Sequence, residues 1–200
     1  MTLALIDYGA GNLHSVANAL TAAGCDDLAI TADPGIVARA DRIVLPGVGA
    51  FGACAAALRA IPGMVEAMEQ RVRGEGAPFL GVCVGMQLMA DEGEEMGVHA
   101  GLGWVKGRVA RLAPTPVAKV PHMGWNDVMP TASHPLLVPG EAYFLHSYAF
   151  DGADVLATTD HAGPVTAAIG RDNMLGVQFH PEKSQAYGLA LLARFLEWRP

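Results

Sequence analysis

Three side chains in this 200-residue sequence have the types that acyl transfer requires: Cys83, His180 and Glu182. A thiolate attacks, an imidazole moves the proton, and a carboxylate fixes which ring nitrogen carries it. Cys83 stands in the frame Gly81-Val82-Cys83-Val84-Gly85. Ahead of it, 78–82 is a short apolar run that reads as a buried strand, and from Val84 an amphipathic run reads as a helix. A cysteine at a strand-to-helix turn between glycines is the thiol counterpart of a nucleophile elbow. The free N–H groups of a helix start would favour its thiolate. The same frame also suits a buried structural cysteine, so its partners must decide. Near the other end, Pro181 biases His180 toward extended backbone, in which residues i and i+2 face one side. His180 and Glu182 then stand together, with one ring nitrogen on the carboxylate and the other free to face a thiol. Donors for an oxyanion are needed as well. The N–H of Val84 is one candidate. Pro46-Gly47-Val48-Gly49, at a neighbouring strand end, is the candidate for the second, an ordinary β-turn being its other reading.

The elements that must position these groups follow from hydrophobic periodicity. Strands are expected at 3–7, 27–31, 41–45 and 78–82, with helices over 12–23, 51–60 and 63–73 between them. In the first helix Leu13, Val16, Ala17 and Leu20 share a face, and Gly24 stops it. This alternation means a parallel sheet with helices on its faces. After Gly93 the chain reads as short strands at 108–112, 126–129, 143–150, 155–159, 165–170 and 174–179. Helix returns at 184–198, with Leu189, Leu192, Ala193 and Leu196 on one side. The expected fold is an α/β three-layer sandwich with a mostly parallel central sheet and extra strands in the second half. No linker, repeat or low-complexity segment interrupts it, so 1–200 is expected to be one domain.

Composition narrows the class. With 52% hydrophobic and 16% charged residues the chain is not a disordered one. A net charge of −7 without a basic stripe argues against a nucleic-acid partner. The opening apolar run meets Asp7 after a few residues, so neither a signal peptide nor a membrane span is expected. Three cysteines, at 25, 54 and 83 with no CxxC, argue against a disulfide framework or a zinc site and for a reducing cytoplasm. Cys25 and Cys54 read as small apolar fillers on alanine-rich helices. No metal or cofactor is expected.

The stretches around the three reactive groups resemble the triad glutamine amidotransferases: Gly81 to Gln87 (GVCVGMQ) and His180-Pro181-Glu182. Asp7 to Leu13 (DYGAGNL), Leu45 to Phe51 (LPGVGAF), Pro121 to Asn126 (PHMGWN), Tyr143 to Tyr148 (YFLHSY) and Gln178 to Ser184 (QFHPEKS) narrow the resemblance. They look like the glutaminase subunits of imidazole glycerol phosphate synthase, and the matches run from the first strand to the last helix. The resemblance implies hydrolysis of L-glutamine to glutamate and ammonia through a thioester on Cys83. His180 would be base then acid, Glu182 its orienter, and Val48 and Val84 the oxyanion amides. Gln87 would hold the substrate, Glu95 would face its ammonium, and Ser147 and Tyr148 would meet its carboxylate through backbone. Trp125 and Lys183 would face a (β/α)8-barrel cyclase subunit, the heterodimer partner that uses the ammonia to make imidazole glycerol phosphate and AICAR in histidine biosynthesis. Such a barrel needs about 250 residues of its own, so the synthase is expected on another chain. His122 receives no role, and the rest of the acidic run Asp91 to Glu95 reads as a solvated loop. The other readings are a different amidotransferase, of the anthranilate or pyridoxal phosphate type, and a non-catalytic α/β scaffold. DYGAGN and PHMGWN argue against the former, the intact triad against the latter.

Overall fold

A computed structural model describes residues Met1–Pro200. Its first half contains β1 (Leu3–Ile6), α1 (Leu13–Ala22), β2 (Leu28–Thr31), α2 (Pro34–Val37), β3 (Arg42–Gly47) and α3 (Phe51–Arg59). Next come α4 (Met64–Met68), which runs on into a π-helical turn Glu69–Gly74, then β4 (Phe79–Cys83) and α5 (Val84–Gln87). The second half is strand-rich: β5 (Glu92–Gly93), β6 (His99–Ala100), β7 (Gly107–Arg111), β8 (His122–Pro130), β9 (Gly140–His146) and β10 (Tyr148–Gly152). It closes with β11 (Val155–Asp160), β12 (Pro164–Arg171), β13 (Met174–Val177), a 3-10 turn Pro181–Lys183 and α6 (Gln185–Glu197).

The main sheet has the order β2-β1-β3-β4-β13-β12-β11-β8-β9. It is parallel from β2 to β13 and antiparallel from β13 to β9. The parallel part explains the continuous apolar runs. β1, β3 and β4 are buried at every position, as strands covered on both faces must be. Order reverses between β1 and β3, and with right-handed crossovers this sends α1 and the α2–α4 group to opposite faces. α1 packs with α6, whereas α2, α3, α4 and α5 touch one another. In such a sheet a ligand crevice is expected at the carboxyl ends of the strands beside the reversal. Ala-, Leu- and Val-rich side chains from both faces join one cluster of 53 buried residues.

A smaller sheet, β10-β7-β5-β6, lies alongside. The stretch expected as one strand over 143–150 is divided between the two sheets: β9 ends at His146, Ser147 breaks the ladder, and β10 starts at Tyr148. The acidic run is likewise structured rather than merely solvated. Glu92–Gly93 is a strand, Asp91 Oδ2 accepts the Gly107 N–H at 3.0 Å, and Glu94 bridges Arg108 at 2.8 Å.

The last helix forms where expected but is turned. Its buried face is Gly188, Leu191, Leu192, Phe195 and Leu196, while Leu189 is 37% exposed. The reason is the missing side chain at Gly188: a Cβ there would sit 1.9 Å from the Pro181 carbonyl oxygen. The helix therefore seats directly on the turn that carries His180 and Glu182. No single helix is long and apolar enough to cross a membrane.

Candidate active site

Strand register brings the site together. β3 and β4 pair with Gly47 beside Cys83, so Val48 and Val84 leave the sheet as neighbours. β13 pairs with β4 through Val177 and Val82, which delivers Gln178 next to Cys83. These carboxyl strand ends meet at a cavity of about 430 Å³, which Val48, Cys83 and Val84 line. Of the residues expected to act, Cys83, His180, Val48, Val84, Gln87, Glu95, Ser147, Tyr148 and Lys183 line it. Glu182 stands behind His180, and Trp125 lies outside the cavity, 47% exposed.

Cys83 has φ 55° and ψ −113°, a strained conformation for a side chain with a Cβ. The strain is held at the residue that presents the sulfur. The flanking glycines serve another purpose than the turn expected of them. Neither Gly81 nor Gly85 is left-handed; a Cβ on Gly85 would lie 1.9 Å from the Leu45 carbonyl oxygen, and one on Gly81 2.7 Å from that of Gly85. They let α5 press onto β3 and β4. α5 itself is a single turn, so its macrodipole is short and any help to a thiolate comes from the first few N–H groups.

The oxyanion candidates sit on unequal supports. Gly47 is boxed in, since a Cβ there would be 2.7 Å from Gly85 N and 2.8 Å from the Tyr8 hydroxyl oxygen. Tyr8 in turn donates to the Pro46 carbonyl at 2.7 Å. Gly49 has φ +98° and open space around it. The freedom of this loop lies after Val48, not on both sides of it. Cys54, on α3, is more than a filler, because its Sγ–H donates to the Val48 carbonyl at 3.4 Å. Cys25 is buried but lies beyond α1 in the turn before β2, not on a helix.

His180 Nδ1 donates to Glu182 Oε1 at 2.8 Å, and the two side chains are 3% and 2% exposed. Their meeting does not come from a run of extended backbone. His180 is extended, but Pro181–Lys183 is a 3-10 turn that brings the carboxylate back to Nδ1 of the ring. Ser184 secures the turn: its Oγ donates to the His180 carbonyl at 2.6 Å and accepts the Tyr143 N–H at 2.9 Å. Burial pulls the His180 pKa down, but hydrogen bonding and charge from Cys83 and Glu182 outweigh it and push it up to about 9. At neutral pH the imidazole is thus cationic. Glu182 Oε2 has no hydrogen-bond partner in the protein, so the carboxylate is devoted to His180.

One residue of this constellation escaped the sequence reading. Gln178 is fully buried, accepts from Gln87 Nε2 at 2.9 Å through Oε1, and turns Nε2 to Cys83 Sγ at 3.7 Å. Its signal was present, two residues ahead of His180 on an extended chain. Gln87 is held twice, donating also to the Tyr148 carbonyl at 3.0 Å. Glu95 Oε2 accepts the Phe51 N–H at 2.8 Å. At the rim, the Trp125 and Tyr143 rings meet edge to face at 6.2 Å, and Lys183 Nζ lies 5.7 Å from the Tyr143 centroid. No group of three or more His, Cys, Asp or Glu side chains has metal-holding geometry.

Residues 4–198 match the family model described as glutamine amidotransferase class-I. The imidazole glycerol phosphate synthase subunit HisH of Zymomonas mobilis is 65% identical, with 100% of this chain and 97% of the relative covered. HisH of Caulobacter vibrioides is 53% identical, over 100% and 99% of the two chains. Among solved structures, a glutamine amidotransferase superposes with TM-score 0.76 at 20% identity, covering 98% of each chain, a likeness of fold.

Proposed function

The chain belongs to the class-I glutamine amidotransferases, and from that premise we propose that it hydrolyses L-glutamine and supplies the ammonia to the cyclase subunit of imidazole glycerol phosphate synthase. The observation that carries the reading is the strained Cys83 lining one cavity with His180, whose ring is held from behind by buried Glu182. The relatives at 65% and 53% identity, full length, are named as subunits of that synthase.

In this reading Cys83 sulfur, as thiolate, adds to the side-chain carbonyl carbon of glutamine. The developing oxyanion is met by the amides of Val84 and Val48. His180, cationic at that stage, gives its proton to the departing nitrogen, and the C–N bond breaks to release ammonia and leave a thioester. Neutral His180 then takes a proton from water, whose oxygen attacks the thioester. Glutamate leaves, and the proton returns the pair to its starting state. Glu182 keeps the ring oriented and stabilises its charge. Gln87, Glu95 and the Ser147–Tyr148 backbone hold the amino-acid end of the substrate, and Trp125 and Lys183 meet the partner. Residues 1–200 act as one unit, and a cytoplasmic setting goes with three buried free thiols.

The test is ammonia release from glutamine by the chain with and without the cyclase subunit. Cys83→Ala should abolish it, while the variant complex still makes product from added ammonia, because the partner needs only the nitrogen. Glutamine-dependent turnover by Cys83→Ala would overturn the assignment.

A further inference from the structure

Two buried histidines take no part in that chemistry. His122, on β8, and His146, at the end of β9, are 4% and 6% exposed. His122 Nδ1 lies 3.0 Å from His146 Nε2, His146 Nδ1 lies 2.9 Å from the Tyr148 carbonyl oxygen, and Asn126 Nδ2 lies 3.0 Å from His122 Nε2. The direction of every bond in this row can be deduced. A carbonyl only accepts, so His146 carries its proton on Nδ1. Burial holds His146 down at about 3 and His122 at about 4, so both rings are neutral near pH 7. His146 Nε2 is therefore bare and accepts from His122 Nδ1–H. His122 Nε2 is bare in turn and accepts from Asn126. The Asn126 amide orientation is fixed independently, its Nδ2 donating to the Asp160 carbonyl at 2.8 Å and its Oδ1 accepting the Asp127 N–H at 2.9 Å.

The row ends on the cavity wall. The Tyr148 carbonyl that receives His146 also receives Gln87, whose amide reaches Gln178 and so Cys83. The preceding Ser147 carbonyl accepts the Leu112 N–H at 2.9 Å. The Ser147–Tyr148 backbone, where the chain crosses from one sheet to the other, is thus pinned at both carbonyls. We propose that His122, acting through His146, is a positioning residue that fixes the Ser147–Tyr148 backbone for the α-carboxylate of glutamine. This deepens the proposed function and rests on it.

A merely structural histidine is the alternative, and His122 has the contacts for that too. Its ring stacks on Phe144 at 4.8 Å and on His161 at 4.2 Å. Two substitutions separate the roles. His122→Phe keeps an aromatic ring for stacking and removes the donor. His122→Asn loses the ring and retains an N–H close to the Nδ1 position. Glutaminase kinetics on the cyclase complex, with thermal melts of each variant, read both.

Positioning predicts that His122→Phe raises KM for glutamine about tenfold, with kcat within about threefold, as expected when one bond ordering a charged-group contact is lost. His122→Asn should restore KM to within about threefold of the parent while being the less thermostable of the two. The opposite order, with KM following stability, overturns the proposal, as does an unchanged KM in His122→Phe. A parent complex that releases no ammonia from glutamine overturns the proposed function itself. Parent activity with unaltered KM in His122→Phe overturns only the relay.

Discussion

Glu95 Oε2 accepts the backbone N–H of Phe51 at 2.8 Å, so a carboxylate in the cavity wall also closes the start of α3. Ala50, the N-cap of that helix, has no side chain able to do this. Such a cap is worth about 1 kcal/mol. Glu95→Ala should lower the melting temperature and raise KM for glutamine. Glu95→Gln keeps an accepting oxygen but loses the charge, so it should retain most stability and still raise KM. A Glu95→Gln enzyme with normal KM would mean that the carboxylate serves α3 alone.

His180→Ala should cost about 10²–10⁴-fold in turnover, the usual worth of one proton-transfer group. Glu182→Gln should cost less, because the imidazole remains. Steady-state rates on the cyclase complex settle the order, and a Glu182→Gln enzyme slower than His180→Ala would mean the roles are reversed.

The histidines also predict the pH dependence of stability. His180 is raised to about 9, so the native state binds its proton more tightly than the unfolded chain does. That contribution is complete below about pH 6.5 and lost as pH climbs through about 9. His146 and His122 are depressed to about 3 and about 4. Their contribution is present above about pH 6.5 and lost as pH falls through those values. Thermal melts should show the stability advantage of parent over Glu182→Gln shrinking between pH 7 and 10. An advantage constant across that range would contradict the proton linkage.

Much of this was readable in the chain. The parallel half was legible because strands buried on both faces are continuously apolar, and Cys83 was legible from its flanking glycines, although these serve close packing rather than the turn. His180 and Glu182 were legible as a pair, although the 3-10 turn joining them was not. Contacts made across the sheet were hidden. Gln178 gained its place from register with β4, and His122 from the pairing of β8 with β9. The rotation of α6 was hidden too, since what sets it is the Pro181 carbonyl rather than the helix's own pattern.

The two glycines around Val48 differ in a way that bears on activation. Gly47 is locked and Gly49 is free, so one oxyanion donor is hinged on one side only. Losing such a donor costs about 10²–10³ in turnover. The isolated chain should therefore be slow, and ligand-loaded cyclase should raise kcat more than it lowers KM. Cys54→Ala, which releases the Val48 carbonyl, should change the rate of the isolated chain, whereas Cys25→Ala should not. An isolated chain as fast as the complex would refute the hinge.

β13 enters the sheet between β4 and β12, so the strand that carries the nucleophile keeps an open edge until almost the whole chain exists. Cys83 and Gln178 are 95 residues apart. At about 5–20 residues per second on a ribosome, roughly 5–20 s pass between the making of the two. During that interval Phe79, Leu80 and Val82, all buried in the finished protein, lie on a strand with one edge unpaired, the kind of edge that recruits other strands or a chaperone. The nucleophile is also without its base for that time, because His180 follows β13. Chain order therefore delays catalytic competence until the last strand has been inserted.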